Sequence, residues 1–464
     1  MDDSTKPSDA SADARDDRIA QLERQLAAAL KRIAELEEII NRLQRGNKRQ
    51  AAPFSKGLPK LDPKRPGRKS GDGYGTPPVF RAMPEPSPAD QVIDVPPPDA
   101  CPHCGDRSAT VESIDQQVQR DIEVRTVVRR FKIAVARCAC CGRRRRGSHP
   151  LQTSTATGCC ASQVGPLARS AMVFMNKTLG LSLGKVANLF DVLWGLQVTP
   201  GGVSHAVQSV GRRCKTDYRA IVNAVRKARH VTCDETGWRI GGLGAWLHAA
   251  ATPDLCAYLI DAARGSDATD KLVGDDFDGT LIHDGWKSYD RYSRATHQQC
   301  NTHLLRRCGE MIEAATPGAA RFPATVKSIL KRGLLLRDER DAGRRSLRSA
   351  KVWATRLTGQ IRKLCKRHRR NRANERLAAF LYRHAGQLFT YLRDPETDAA
   401  NWRGEHAMRY AVVNRKVWGG NRTRRGADNQ AILMSVLRTL KLRGADAIGW
   451  LQEKLLDRNP VLLA

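Results

Sequence analysis

Between His230 and Cys300 the chain breaks into short apolar runs separated by turn residues, and this stretch constrains the fold most. His230–Cys233 reads as a short buried strand ending at Asp234-Glu235-Thr236. Gly241-Gly242 turns the chain into a second strand over Gly244–Ala251, and Cys256–Asp261 is a third. Ser266–Val273 has helical spacing, with Ser266 as its expected cap. Thr280–His283 is a fourth strand ending at Asp284-Gly285, and after a short helix Thr296–Cys300 is a fifth. Apolar runs of this length, bounded by glycine and aspartate, favour strands over helices. Three meandering strands, a helix, a strand, a helix and a strand require a sheet with helices packed on it.

That order is the order of an α/β RNase H-like core. In such a sheet the first and fourth strands are neighbours, so Asp234 and Asp284 are expected at one edge. Residues 402–416 read as a helix crossing that edge and carrying Glu405. Three converging carboxylates can hold two Mg²⁺ (or Mn²⁺) ions about 4 Å apart, enough for in-line displacement at a phosphodiester. The charge balance agrees with such a substrate: 79 Lys+Arg against 48 Asp+Glu gives +31 and a pI near 10.1, which suits a polyanion such as nucleic acid. Clustered acids raise one another's pKa and call for a cation. Taken singly, each aspartate also reads as a turn cap, and Glu405 as a solvated residue paired with Arg409 one turn on. Glu235 stands beside the site as an auxiliary acid, and His303 reads as a satisfied core histidine.

The N-terminal part is organised differently. Residues 1–15 are polar and read as disordered. In 16–46, Ile19, Leu22, Leu26, Ala29, Ile33, Leu36, Ile40 and Leu43 recur at spacings of three and four, the seam of a coiled-coil dimer over 19–43. Residues 47–98 form a basic, proline-rich linker. In 99–150, Cys101/Cys104 and Cys138/Cys141 are two Cys-x-x-Cys knuckles, four thiolates for one Zn²⁺. Gln117–Arg137 alternates between them as a strand, so this region reads as a zinc ribbon; Cys140 and His103 are alternative ligands. The 13 cysteines fit reduced thiols plus a metal better than a disulfide framework.

Residues 151–227 read as a helical, helix-turn-helix-like DNA-binding domain, with an ordinary helical linker domain as the competing reading. Its second helix starts at Thr199-Pro200 and runs through Val210, with Ser204, His205 and Gln208 expected to face a groove. Gly180 to Lys185 only superficially resembles a phosphate loop, with too few residues between its glycines, so no nucleotide binding is expected. The catalytic region spans 228–420, with a basic helical stretch over 301–400, and 421–464 is a C-terminal helical segment. No apolar run approaches a membrane span and the acidic N-terminus does not read as a signal peptide, so a cytoplasmic, nucleoid-associated protein is expected.

AspGluThrGlyTrp at 234–238, HisAspGlyTrpLysSerTyr at 283–289, Cys300-Asn-Thr-His303-Leu-Leu-Arg306-Arg307 and Asn401-x3-Glu405-x3-Arg409 together resemble the IS66 family of DDE-class transposases. The resemblance implies a metal-binding triad of Asp234, Asp284 and Glu405, and an insertion over 301–400. It implies DNA contacts from Arg306, Arg307, Arg409, Arg415 and Lys416. It further implies cleavage at terminal inverted repeats, joining of 3′-hydroxyl ends to target DNA, and companion proteins encoded by the same element. Two other readings compete: a structure-specific nuclease or resolvase on the same fold, and a non-enzymatic zinc-ribbon regulator.

Overall fold

The computed structural model describes most of residues 21–36, then 92–108, 110–114, 117, 122, 124–156, 158, 163–316, 318–458 and 460–463. The expected disordered start and most of the linker lie outside the described residues. The described part of 21–36 is helical, and Leu22, Leu26, Ile33 and Leu36 are exposed along it. The chain divides into two compact units, Phe54–Val128 and the remainder. No helix among the described residues is long and apolar enough to cross a membrane.

Each cysteine knuckle falls in a different unit, and both adopt the same turn. Gly105 N–H donates to Cys101 O at 2.9 Å and Gly142 N–H to Cys138 O at 2.9 Å. Both glycines take positive φ, 80° and 66°, which a side chain resists. Among the described residues of 117–137, the expected strand is limited to β1 (Val135–Arg137), paired antiparallel with β2 (Arg144–Arg146). Val124, Val127, Val128 and Phe131 are exposed, so alternation there lacks the apolar partner that would extend a sheet.

Four helices come next: α1 (Pro166–Lys177), α2 (Leu183–Trp194), α3 (Pro200–Arg213) and α4 (Lys215–Arg226). Thr199 caps α3 as its sequence predicts, accepting from Gly202 N–H at 3.1 Å. The sheet is formed by β3 (His230–Ile240), β4 (Leu243–Ala251), β5 (Cys256–Asp261), β6 (Thr280–His283) and β7 (Thr296–Gln299). Its order is β5-β4-β3-β6-β7. The first two pairings are antiparallel and the last two, β3/β6 and β6/β7, parallel. Between β5 and β6 lies α5 (Ser266–Val273), whose cap is Gly265 rather than Ser266. β3 is much longer than its apolar run suggests, because β4 pairs with it through Ile240↔Leu243. Asp234 is therefore inside a strand, not after one.

The period-two alternation of the sheet splits its side chains between two cores. Val231, Cys233, Ala250 and Ala257 face a core built with α1–α4. Trp238, Leu247, Ala249, Tyr258 and Ile260 face the other, against α10 (Trp402–Trp418). Residues 166–226 thus share their core with the sheet instead of closing one of their own. The C-terminal part behaves likewise: α11 (Arg424–Leu442) contributes to both cores, and α12 (Ala447–Leu455) packs into the first. α11 also finishes the sheet. Edge strand β5 donates from Tyr258 N–H to Ser435 Oγ at 2.8 Å and from Cys256 N–H to Thr439 Oγ1 at 3.2 Å. Hydroxyls on a buried helix thereby satisfy an edge that would otherwise invite another strand.

The stretch 301–400 builds its own core from α6 (Asn301–Glu313), α7 (Arg321–Asp341), α8 (Leu347–Cys365) and α9 (Arg372–Arg383). Leu330, Leu357, Ile361, Leu377, Leu381 and Phe389 are fully buried in it. Its last turns cover the opposite edge of the sheet: Thr390 Oγ1 donates to His297 O at 2.6 Å and Tyr391 N–H to Gln298 Oε1 at 3.2 Å.

Candidate active site

β3 and β6 pair in parallel up to Thr232↔Ile282. Two residues further along each chain stand Asp234 and Asp284, abreast where β6 ends and the strands part. Asp234 Oδ1 accepts its neighbour Glu235 N–H at 3.0 Å, and Asp284 Oδ1 accepts Trp286 N–H at 2.9 Å, which fixes both carboxyls. Burial, then the charges of Glu235 and Asp284, push the Asp234 carboxyl from 3.8 up to about 7.

α10 supplies the third acid. Gly404 is buried, and a Cβ built on it would stand 2.9 Å from Asp234 Cβ, as well as against the Asn401 amide oxygen. The helix therefore lies directly on β3, and only a glycine permits that approach. The next residue, Glu405, is in the first turn of α10, where a carboxylate is favoured. Its Oε1 lies 3.6 Å from His303 Nε2. Contact with the Cys300 sulfur raises the His303 pKa against the effect of burial, and the charges of Glu405 and Asp284 add to the rise. His303 Nδ1 is buried without a hydrogen-bond partner, so this is not a satisfied core histidine. The imidazole is close to Glu405 and lies within electrostatic reach of Asp234 and Asp284.

Glu235 has a different task. On a strand it points away from Asp234, and its side chain is 2 % exposed. Oε1 accepts both Arg264 Nε (3.1 Å) and Nη2 (2.9 Å), and Oε2 accepts the Tyr289 hydroxyl at 2.7 Å. Arg264 in turn stacks on Trp246 and Trp286, at 4.6 and 3.6 Å. Both Glu235 oxygens are committed to holding β3 and the loop after β6.

The expected DNA-facing residues divide by exposure. Arg409, Lys416 and Arg306 are exposed. Arg307 is half-buried over Phe380, at 5.9 Å. Arg415 donates to Thr236 Oγ1 at 3.3 Å and to Gly237 O, tying α10 to β3. On α3, Ser204 and Gln208 are half-buried and bonded to each other at 3.4 Å, while His205 is exposed. Sequence reasoning gave no role to Asn401, which is fully buried with both amide atoms unpartnered. Its one signal was its place four residues before Glu405.

The donors present suit a hard divalent cation. Two carboxyls stand abreast and a third is carried by the helix packed on β3; burial and neighbouring charge raise the pKa of Asp234, and unpartnered amide atoms of Asn401 lie close by, so the set is rich in oxygen donors.

A profile of the transposase IS66 family matches residues 161–429, more than half of the chain. The chain belongs to the IS66 transposase family. No curated protein matches it. The span matched by the IS66 profile contains Asp234, Asp284 and Glu405, and leaves the knuckles and the N-terminal helix outside. Membership in the IS66 family implies DNA as the partner.

The Gly404 contact yields a prediction for this IS66-family chain. Gly404→Ala should gain about 1 kcal/mol of helix propensity. Overpacking against the strand-anchored Asp234 Cβ costs about 1–3 kcal/mol, so net destabilisation is expected in a denaturant titration.

Proposed function

We propose that the chain is a DDE transposase with an RNase H-like core, cutting at the ends of its element and joining the freed 3′-hydroxyl to target DNA. The observation that carries this reading is the Gly404–Asp234 approach, which brings the helix bearing Glu405 onto the strand pair bearing Asp234 and Asp284. The sheet order β5-β4-β3-β6-β7, three antiparallel strands followed by two parallel additions, supports the fold assignment.

Asp234, Asp284 and Glu405 would hold the divalent ions, Mg²⁺ or Mn²⁺. When bound, such ions activate an attacking oxygen and stabilise the leaving oxygen at the scissile phosphate. The protein's own groups do the rest. β3 and β6 hold two carboxyls abreast, while Glu235, locked by Arg264 and Tyr289, keeps the strand and the Asp284 loop in register. Arg415 anchors α10, so Arg409 and Lys416 are presented on a fixed helix for backbone phosphates. Arg306 and Arg307 would extend that track on α6. Joining conserves bond type and needs no nucleotide. An assay with paired end-bearing DNA, divalent cation and target plasmid tests this: joined product is expected, whereas cut ends without joining would favour the nuclease reading.

Specificity for the ends is proposed for the knuckles and α2–α3, with Ser204, His205 and Gln208 near a groove. The seam over 19–43 would pair subunits so that two ends meet. In both knuckles, backbone N–H groups from the following residues lower the pKa of the leading thiol, Cys101 by His103 and Cys104, Cys138 by Cys141 and Cys140. Turns that ease thiol ionisation in this way suit Zn²⁺. Cys138→Ser should lower bound zinc by about one ion per chain in metal analysis and weaken end-specific DNA binding about 10-fold or more.

A further inference from the structure

Where α6 and α10 begin, three ligating groups of different chemistry converge. Cys300 Sγ, a His303 ring nitrogen and a Glu405 carboxylate oxygen all lie within 4.8 Å of one another. Cys300 caps α6 and His303 is its third residue, so both project from the same first turn. The sulfur is buried and already polarised, accepting Asn401 N–H at 3.1 Å. His303 Nε2 lies 3.6 Å from Glu405 Oε1, while its Nδ1 is buried without a hydrogen-bond partner. Glu405 is exposed, leaving a solvent-side opening for a fourth ligand.

The donor set differs from that of the three carboxylates. Mg²⁺ takes hard oxygens and has little use for sulfur, whereas Zn²⁺ takes thiolate, imidazole and carboxylate at about 2.0–2.3 Å. Tetrahedral coordination at those lengths needs ligand atoms about 3.3–3.8 Å apart. The 3.6 Å between His303 and Glu405 already meets that, and the sulfur needs only a small side-chain shift.

We propose that Cys300, His303 and Glu405 form a binding site for a thiophilic divalent ion, Zn²⁺ foremost, separate from the cysteine knuckles. Glu405 belongs to both this site and the three-carboxylate set. An ion held by Cys300 and His303 fixes Glu405 toward α6 and withdraws it from Asp234 and Asp284. Zinc at this site is therefore an inhibitor of the magnesium-supported reaction; that consequence rests on the proposed function, while the binding itself does not.

The full chain with its knuckles first filled by zinc is titrated with Co²⁺, which reports thiolate ligation by its sulfur-to-cobalt absorption. The expected result is one further thiolate-bound cobalt per chain, lost in Cys300→Ser. Absence of that band in the natural chain, or its persistence unchanged in Cys300→Ser, overturns the site. Should Cys300→Ser melt as an unfolded chain, His303→Gln replaces it, with loss or spectral shift of the band expected and an unchanged band counting against the site. In the second arm, Zn²⁺ is added to a Mg²⁺-supported cleavage assay. Inhibition is expected, and Cys300→Ser should need about 10-fold or more zinc for the same fractional inhibition of its own zinc-free rate. Equal zinc sensitivity in the two proteins overturns the coupling to Glu405. A chain that binds cobalt here yet never cleaves with Mg²⁺ would refute the functional reading and leave the metal site standing.

Discussion

Asp284→Asn is expected to reduce cleavage at the element's ends by about 10³-fold or more, with DNA binding unchanged or slightly tighter. Asparagine keeps the size of the side chain and the oxygen that accepts Trp286 N–H, so the loop after β6 should hold its shape. What disappears is one negative charge at the point where a divalent cation would be held. Binding does not suffer, because an acid facing the phosphate backbone opposes DNA rather than recruiting it. Asp234→Asn should behave alike, since its retained oxygen can still accept Glu235 N–H. Glu405→Gln completes the set. Cleavage on labelled end DNA, with binding measured in parallel at fixed salt, checks all three. Wild-type cleavage rates in Asp234→Asn and Asp284→Asn would remove the catalytic assignment. A natural chain that binds DNA but never cuts it would return the reading to a zinc-ribbon regulator.

A second large effect is expected in the stability of the metal-free protein. The Asp234 carboxyl ionises near pH 7 in the folded chain and near its ordinary value when unfolded. Because the folded value is the higher, its contribution to stability is fully present below about pH 4. It is lost as pH rises toward 7 and is absent above that. The rise from 3.8 to about 7 corresponds to at most about 4 kcal/mol. Metal-free protein should therefore melt lower at pH 8 than at pH 5.5 through this group. Asp234→Asn should recover a few kcal/mol at pH 8 and little at pH 4. Mg²⁺ should raise the melting temperature of the natural chain at pH 8 and much less at pH 5.5, where a proton competes for the same carboxylate. A melting temperature for Asp234→Asn no higher than that of the natural chain at pH 8 would mean that burial beside Glu235 and Asp284 does not strain the ionised Asp234.

Much of the sheet was readable because strands announce themselves locally. Cys256–Asp261 and Thr280–His283 have the limits that their apolar runs suggest, and α5 differs only in its cap. β3 was read short because Asp234, Glu235 and Thr236 are polar, yet β4 holds them in the ladder by main-chain bonds that side-chain polarity does not report. The ribbon strand failed in the opposite sense: Val124 to Phe131 alternate but face no apolar partner, and period alone does not make a sheet. His303 read as an ordinary core histidine and Glu235 as an auxiliary acid until their neighbours were known. Arg264, which locks Glu235, is 29 residues away in the chain.

The amino-acid sequence by itself determined the order of strands and helices of the sheet region, the excess of positive charge, the paired cysteines and the placing of Asp284 after a strand and Glu405 near a helix start. These follow from the periodicity of burial and from side-chain chemistry, both properties of neighbouring residues. Tertiary structure alone decided that α11 completes the edge of β5, that residues 166–226 share a core with the sheet, and that the helix bearing Glu405 lies against Asp234 at Gly404. Such meetings depend on how closely two distant backbones can approach, and that distance is set by packing across the fold rather than by any local run of residues.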